Sequence, residues 1–489
     1  MLFNSLQFLI FFPVVTTLYF GLPHRYRWAL LLMASCVFYM AFIPVYILVL
    51  FVLIIIDYFM AIWIEEAPQD KKKRYLTISI LATCTALFIF KYINFFNVNC
   101  QAIAHLIGWN YSLGALRIIL PIGLSFHTFQ SLAYIIEVYK GEQKAERNLG
   151  VYALYVMFYP QLVAGPIERP GNLLHQFYEI HHFDYRRVTD GIKLMAWGLF
   201  KKIVIADQLA VMVNRVYGHP TDYYGPALAL ATFFFAFQIY CDFSGYSDIA
   251  IGSAQVMGFK LMDNFNRPYS SRSISEFWKR WHISLSTWFR DYLFMPLSGS
   301  RTLKKHWYLT LFLTFVISGL WHGANWTYVI WGALNGFYLV FGIWTSNFRS
   351  NIREKLKIAI HQEMIGVWQV LATFSLICFS FIFFRAKNLQ DAIYIITQLP
   401  HGWQKAASGH QIFYDSFGLG SNEFLFFAIM IGILTIVHMA QEHGSIRHML
   451  SNKPLWIRWS VYCSLLFGMF LWGVESEVHT TQAFIYFQF

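Results

Sequence analysis

Ser318-Gly-Leu-Trp-His-Gly-Ala-Asn-Trp326 is the stretch whose reading decides the fold. It sets one imidazole, His322, between two long apolar runs, about 307–320 and 325–345. Gly319 and Gly323 flank it, and Trp321, Trp326 and Trp331 surround it. A titratable ring inside membrane-grade sequence is costly unless it faces a cavity or a partner. The plainer reading is a core histidine satisfied by one hydrogen bond. The sharper reading is a general base at the floor of a pocket. The glycines favour the second, because they permit a break or a close backbone approach.

Outward from this stretch, the chain is apolar almost everywhere. Of 489 residues, 57% are hydrophobic, 19% aromatic and 13% charged. A soluble enzyme carries about twice that charged fraction. Mean hydropathy is +0.46. The abundant Phe, Tyr and Trp suit lipid-facing surfaces and interfacial belts. The composition specifies an all-α polytopic membrane protein, a single membrane-embedded domain over 1–489. Each crossing needs about 20 mainly apolar residues. Candidate spans are 5–22, 28–43, 45–64, 76–96, 118–136, 190–217, 226–252, 307–320, 325–345, 366–384, 423–440 and 456–474. Residues 150–166 read as re-entrant, since Pro160 and Gly165-Pro166 would break a straight helix. The first apolar run has no basic leader and no small-residue cleavage pattern, so it reads as a retained helix.

The net charge of +11 sits in short loops. The positive-inside rule explains it better than nucleic-acid binding, for which there is no signature. His24-Arg-Tyr-Arg27 and Lys71-Lys-Lys-Arg74 belong on the cytoplasmic side. Alternation then places both termini outside. The six cysteines are scattered without a C-x-x-C pair and read as small hydrophobes. No metal-ligand pattern emerges.

The polar centre is the cytoplasmic segment 256–306. Ser273 with Glu276 three residues on forms a capping-box pattern. The spacing predicts one helix from there to Pro296. Trp278, Trp281, His282, Leu285, Trp288 and Phe289 share a face. That pattern predicts an amphipathic helix lying at the interface, Trp face down. Arg267, Arg272, Lys279, Arg280 and Arg290 offer cations suited to a phosphate-bearing cytosolic ligand such as coenzyme A. There is no Walker loop and no GxGxxG, which argues against ATP or NAD chemistry. Asp242 and Asp248, inside apolar sequence, should line the interior or hold a basic partner. Gln161 through Arg169 forms a further polar cluster.

These residues resemble the membrane-bound O-acyltransferase family. Ser273–Leu297, with its Glu-Phe-Trp-Lys-Arg-Trp-His-Ile-Ser-Leu-Ser-Thr-Trp-Phe-Arg-Asp-Tyr core, followed by Gly319-Leu-Trp-His-Gly-Ala-Asn-Trp326, carries the resemblance. Tyr240–Asp248, Asn264–Tyr269 and Gln161–Ile167 are similar to its alginate-type bacterial branch. The resemblance covers nearly the whole chain. It implies a ring of about 11–12 transmembrane helices, with re-entrant and interfacial helices, around a central tunnel. It implies acyl transfer from a cytosolic thioester, acetyl-CoA, to an acceptor reached from outside. It makes His322 the catalytic histidine and His282 a second polar residue of the cytoplasmic tunnel. The implied partner is an extracytoplasmic SGNH-like acetyltransferase or a polysaccharide, because this chain shows no G-x-S-x-G of its own. The implied location is the bacterial plasma membrane.

Three further roles follow from the residues. Desolvation should keep the His322 ring a neutral base. Asn325, three residues on, is a candidate oxyanion donor. The tail Phe484-Ile-Tyr-Phe-Gln-Phe489 is apolar yet placed outside. It is either a frayed segment on the bilayer or a segment dipping into the external funnel, with Tyr486 as a transient acyl relay. D-alanyl transfer to teichoic acid is the alternative within the class. A small-solute transporter is the alternative outside it, although no inverted repeat is visible.

Overall fold

The computed structural model describes residues 1–111, 114, 116, 120–299, 304–355, 362–404, 420–478 and 484–485. Among them every regular element is helical. Two compact units emerge: Met1–Met195 with Ser247–Asp263, and Ala196–Tyr246 with Asn264–Phe489.

The first unit opens with α1 (Leu6–Gly21), α2 (His24–Met40), α3 (Ile47–Glu66), α4 (Gln69–Leu87) and α5 (Ile93–Leu106). A π turn joins the last two into one 38-residue rod, Gln69–Leu106. Next come α6 (Leu124–Lys140), α7 (Leu149–Met157) and the short α8 (Pro170–Leu173). The Asn148 side chain caps α7, accepting from the amides of Gly150 at 2.9 Å and Val151 at 3.2 Å. As the prolines require, α7 stops at Met157 and the chain turns through buried residues to Gly165. Gly123 takes φ +80°, and a side chain there would meet the Leu162 carbonyl. Asp57 in α3 accepts the Ser79 hydroxyl of α4 at 2.5 Å. This satisfies one oxygen of a carboxyl inside the most apolar helix.

The chain passes between the units within α9 (Tyr185–Phe200) and α11 (Gly225–Met257). The second unit adds α10 (Asp207–Gly218), α12 (Ile274–Arg280), α13 (Ile283–Trp288), α14 (Met295–Ser298), α15 (Lys304–His322), α16 (Trp326–Trp344), α17 (Ser346–Lys355), α18 (Gln362–Arg385) and α19 (Leu389–Gln398). It closes with α20 (Ser421–Ala440), α21 (Ile446–Ser451) and α22 (Leu455–Val478).

Each expected span overlaps helix, although the helix within 118–136 starts at Leu124 and the run 76–96 covers α4, a π turn and the start of α5. Seven helical stretches among the described residues are long and apolar enough to cross a hydrocarbon layer. The others are shorter, such as the 16-residue α1, or interrupted. The run at 190–217 is interrupted by a π turn, Lys201–Ala206, that carries buried Lys201 and Lys202. This is a multi-pass, all-α membrane protein.

One expectation is corrected. The segment after Ser273 is not one helix ending at Pro296. It breaks at Trp281-His282, where His282 takes φ +43° and ψ +55°. A π turn, Phe289–Phe294, follows α13, and Pro296 sits in the first turn of α14, where a missing N–H costs nothing. The Trp face does not lie on a bilayer. Trp278, Trp281 and Trp288 are buried in protein. Trp278 meets Phe315 and Trp331 at 5.1 and 5.7 Å, and Trp281 meets Phe381 at 5.9 Å. The apolar periodicity was sound, but its partner is a protein core.

Candidate active site

His322 ends α15, and the Asn325 side chain starts α16 by accepting the Thr327 amide at 3.1 Å. The two helices form a close hairpin. A side chain on Gly332 would strike the Phe315 carbonyl, and one on Gly319 would strike the Tyr328 carbonyl. Small residues thus let the backbones touch, the usual device of membrane helix pairs. The hairpin fixes His322 at its tip, 4% exposed. Three rings wall it edge-on: Trp321 at 4.8 Å, Trp331 at 5.0 Å and Phe384 of α18 at 5.4 Å.

Asn325 is the cap of α16. Its oxygen accepts from Thr327, and its amide donates to the Lys387 carbonyl at 3.1 Å. These bonds tie the hairpin tip to the end of α18.

His282 is fully buried. Its left-handed backbone is uncommon for a residue with a side chain and marks a constrained site. Asn264 supplies the constraint. The Ile283 amide donates to its carbonyl at 2.9 Å. Its side-chain oxygen accepts from the Ser284 hydroxyl at 2.9 Å and the Ser284 amide at 3.3 Å, and lies 3.1 Å from His282 Nδ1. An amide oxygen already accepting two protons identifies Nδ1 as the N–H, which puts the basic lone pair on Nε2. Burial pushes the ring down to about 3, so it is neutral at physiological pH.

A continuous aromatic wall joins the two histidines. Phe243 meets His282 at 4.6 Å and Phe265 at 5.0 Å. Phe265 meets Trp281 at 5.1 Å, Trp281 meets Phe381, and Phe381 meets Phe384 at 6.2 Å. Phe384 is the ring against His322. Two neutral-capable imidazoles along one apolar lining suit an uncharged acyl chain and a proton transfer shielded from water.

Beside Phe243 lies a buried ionic group. Lys202 reaches Asp242 at 2.6 Å and Asp207 at 2.8 Å. The other Asp242 oxygen accepts the Ile485 amide at 2.7 Å. Phe484 and Ile485 are 1% and 2% exposed, so the part of the tail described here is buried and not frayed. Tyr486 lies outside the described residues.

The basic residues divide. Arg280 pairs with Glu276 at 2.6 Å and Arg290 with Asp291 at 2.7 Å. Arg272 and Lys279 are exposed. Glu276 also accepts the Arg272 amide at 2.8 Å, while Ser273 accepts the Glu276 amide. The cap is therefore made on one side only.

Residue-level reading did not assign roles to Asn264, Lys202, Asp207, Phe381 or Phe384. Two adjacent lysines inside the apolar run 190–217 were the available signal for Lys202, because unpaired ammonium groups are not stored in hydrocarbon. Nothing in the sequence pairs Phe384 with His322, 62 positions apart.

Comparison with known proteins adds an independent line. The profile of the membrane-bound O-acyltransferase family matches residues 148–384. A probable alginate O-acetylase of Pseudomonas aeruginosa is 39% identical over 396 residues, 80% of this chain and 73% of that one. A peptidoglycan O-acetyltransferase of Helicobacter pylori is 32% identical over 100% of this chain and 98% of its own length. A teichoic acid D-alanyltransferase of Bacillus subtilis is 29% identical over 54% of this chain and 69% of its own. With identity of this order along most of its length, and a buried histidine pair on an all-helical membrane scaffold, this chain belongs to the membrane-bound O-acyltransferase family and is an O-acyltransferase.

Proposed function

We propose that this protein is the membrane subunit of a bacterial O-acetylation system. It takes the acetyl group of cytosolic acetyl-CoA and delivers it across the plasma membrane, with both chain termini outside. The acceptor is an extracytoplasmic polysaccharide of alginate or related type, peptidoglycan, or an SGNH-like acetyltransferase that modifies one. The observation that carries the reading is His322, held at the hairpin tip inside three aromatic rings. Relatives named for O-acetyl transfer span more of the chain than the relative named for D-alanyl transfer, which favours an acetyl donor. The family assignment leaves no need for the transporter reading.

In this mechanism His322 accepts the proton of an attacking hydroxyl as its oxygen bonds to the thioester carbonyl carbon. The carbon–sulfur bond then breaks, and the imidazolium returns the proton to the departing thiolate. Ester and thiol are the products, and no net proton is consumed. Base catalysis of this kind contributes about 10²–10⁴ in rate. His282, neutral and fixed by Asn264, lines the donor end. Arg272 and Lys279 are the exposed cations available to the donor's phosphates, with Arg280 and Arg290 engaged by neighbouring acids. Tyr486 is the first acyl acceptor and passes the group on. The burial of Phe484 and Ile485 supports a tail that enters the protein.

Acetyl-CoA labelled in the acetyl group tests this. Wild type should release CoA and retain label. His322→Ala should lose both by 10²-fold or more, on the order of a removed general base. Tyr486→Phe should lose the retained label. Normal turnover in His322→Ala would remove the base assignment. Retained label in Tyr486→Phe would remove the relay. Turnover with carrier-bound D-alanine but not acetyl-CoA would replace the donor.

A further inference from the structure

Asp242 is the one carboxylate of the buried ionic group that faces two ways. One oxygen holds Lys202 at 2.6 Å, and the other accepts the Ile485 amide at 2.7 Å. All three side chains of the group, Lys202, Asp207 and Asp242, are almost wholly buried. The tail brings a ring as well. Phe484 lies 4.6 Å from Tyr246 and 5.7 Å from Phe243. Phe243 in turn touches His282 edge-on at 4.6 Å. The tail is therefore one ring removed from a site histidine, although its docking residues are more than 230 positions away in the chain.

We infer that Asp242 is the positioning residue of the C-terminal segment. Asp242, Phe243 and Tyr246 form a docking site built to receive Phe484-Ile485. Its chemistry is specific. A buried carboxylate is expensive in apolar surroundings and gains most from charge-assisted donors. Lys202 satisfies one oxygen and is shared with Asp207, leaving the second oxygen directed at a backbone N–H. A backbone donor reads the path of the tail, not its side chains. The Phe484 ring, clasped by Tyr246 and Phe243, sets how far the segment enters. Residues following Ile485 are then delivered from a fixed point. In the acyl-transfer reading above, on which this part rests, docking sets the distance from His322 to the tail's acceptor group. The same site would take an equivalent Phe-Ile segment presented by another chain, but its resident occupant is the chain's own terminus.

Photocapture tests docking without turnover. p-Azidophenylalanine replaces Phe484 in the full-length protein in detergent, and the cross-linked peptides are identified by mass spectrometry. Capture of the α11 peptide containing Phe243 and Tyr246 is expected. Ile485→Pro removes the amide donor without touching the ionic group and should lower capture about tenfold, the scale of one charge-assisted hydrogen bond. Asp242→Ala should do the same, and Ile485→Val should capture as wild type does. Capture elsewhere, or equal capture in Ile485→Pro, overturns the assignment, whether or not Asp242→Ala folds. Label transfer in Ile485→Pro is the second readout. CoA release and label on the protein should fall together, because the tail carries the first acyl acceptor of that reading. Loss of docking with unchanged labelling would separate the two ideas, sustaining Asp242 as the docking residue and removing docking as what sets acyl transfer to the tail, while the relay itself is tested by Tyr486→Phe.

Discussion

At the scale of single residues, His282 shows how a fold keeps a histidine neutral. Asn264 holds its Nδ1–H, a left-handed backbone turns the ring inward, and burial lowers its affinity for a proton to about 3. The sign of the consequence follows. The unfolded chain titrates near 6.5, so between about 6.5 and 3 it binds the proton and the folded chain does not. This contribution to stability is fully present above about pH 6.5 and declines as pH falls. By pH 5 the decline amounts to roughly 2 kcal/mol. Glu168 acts in the opposite sense. Burial pushes it up to about 7, against the Met262 amide that donates to it at 2.6 Å. Its contribution is present below about 4.5 and is lost as pH rises through 7. Thermal unfolding in detergent at pH 7.5 and pH 5 should show a smaller acid loss in His282→Gln than in wild type. Equal losses would show that His282 does not set the slope.

The sequence disclosed both histidines but not how either is held. His322 stood out because a lone imidazole between apolar runs is conspicuous. Asn264 did not, because an asparagine before a Phe-Asn-Arg-Pro turn has many local uses. Asn325, a candidate oxyanion donor by its place in the sequence, also caps α16 in the structure.

At the scale of elements, the hairpin of α15 and α16 carries the candidate site. Its closeness depends on Gly319, Gly332 and Gly336, each facing backbone of the partner helix. Gly332→Val would push the helices apart beside Trp331, one of the rings against His322. Overpacking of this kind costs ~1–3 kcal/mol, and a shift of about 1 Å at the site costs on the order of 10² in rate. Gly342→Val, which meets nothing within 4 Å, should change neither. Melting temperature and acyl transfer, measured on both variants, check this. A Gly332→Val protein with wild-type turnover would mean that the hairpin's spacing is not what positions the histidine. The segment after Ser273 teaches a different lesson. Its helical periodicity was legible, and its apolar face was correctly identified. The break at His282 was not, because it is imposed by Asn264 and by aromatic neighbours distant in sequence. Local propensity yields to such contacts.

At the scale of the whole molecule, the proposed orientation rests on charge. Lys71–Arg74 lie at the start of α4 and His24–Arg27 at the start of α2, and in the orientation proposed above both face the cytoplasm. Lys72→Cys, made in a protein with its native cysteines replaced, should react with a membrane-impermeant maleimide only after the cells are opened. A cysteine appended after Phe489 should react in intact cells unless docking shields it, and Ile485→Pro should then expose it. Labelling of Lys72→Cys in intact cells would invert the proposed topology and, with it, the proposed direction of acyl transfer.

Composition and hydrophobic period alone determined that this chain is a helical membrane protein and roughly where its apolar helices lie, though not where the segment after Ser273 breaks. A lone imidazole between two apolar runs singled out His322, since it is costly to bury, and the family resemblance added His282. Only the tertiary structure decided that Trp278, Trp281 and Trp288 face a core and not a bilayer, because an apolar stripe reads the same against lipid as against protein. Only the tertiary structure joined Phe384 to His322, Asn264 to His282, and Asp242 to Lys202 and the tail. These contacts close loops of tens to hundreds of residues, and their partners are chosen by packing and by the cost of an unmatched polar group, neither of which is written in the local pattern.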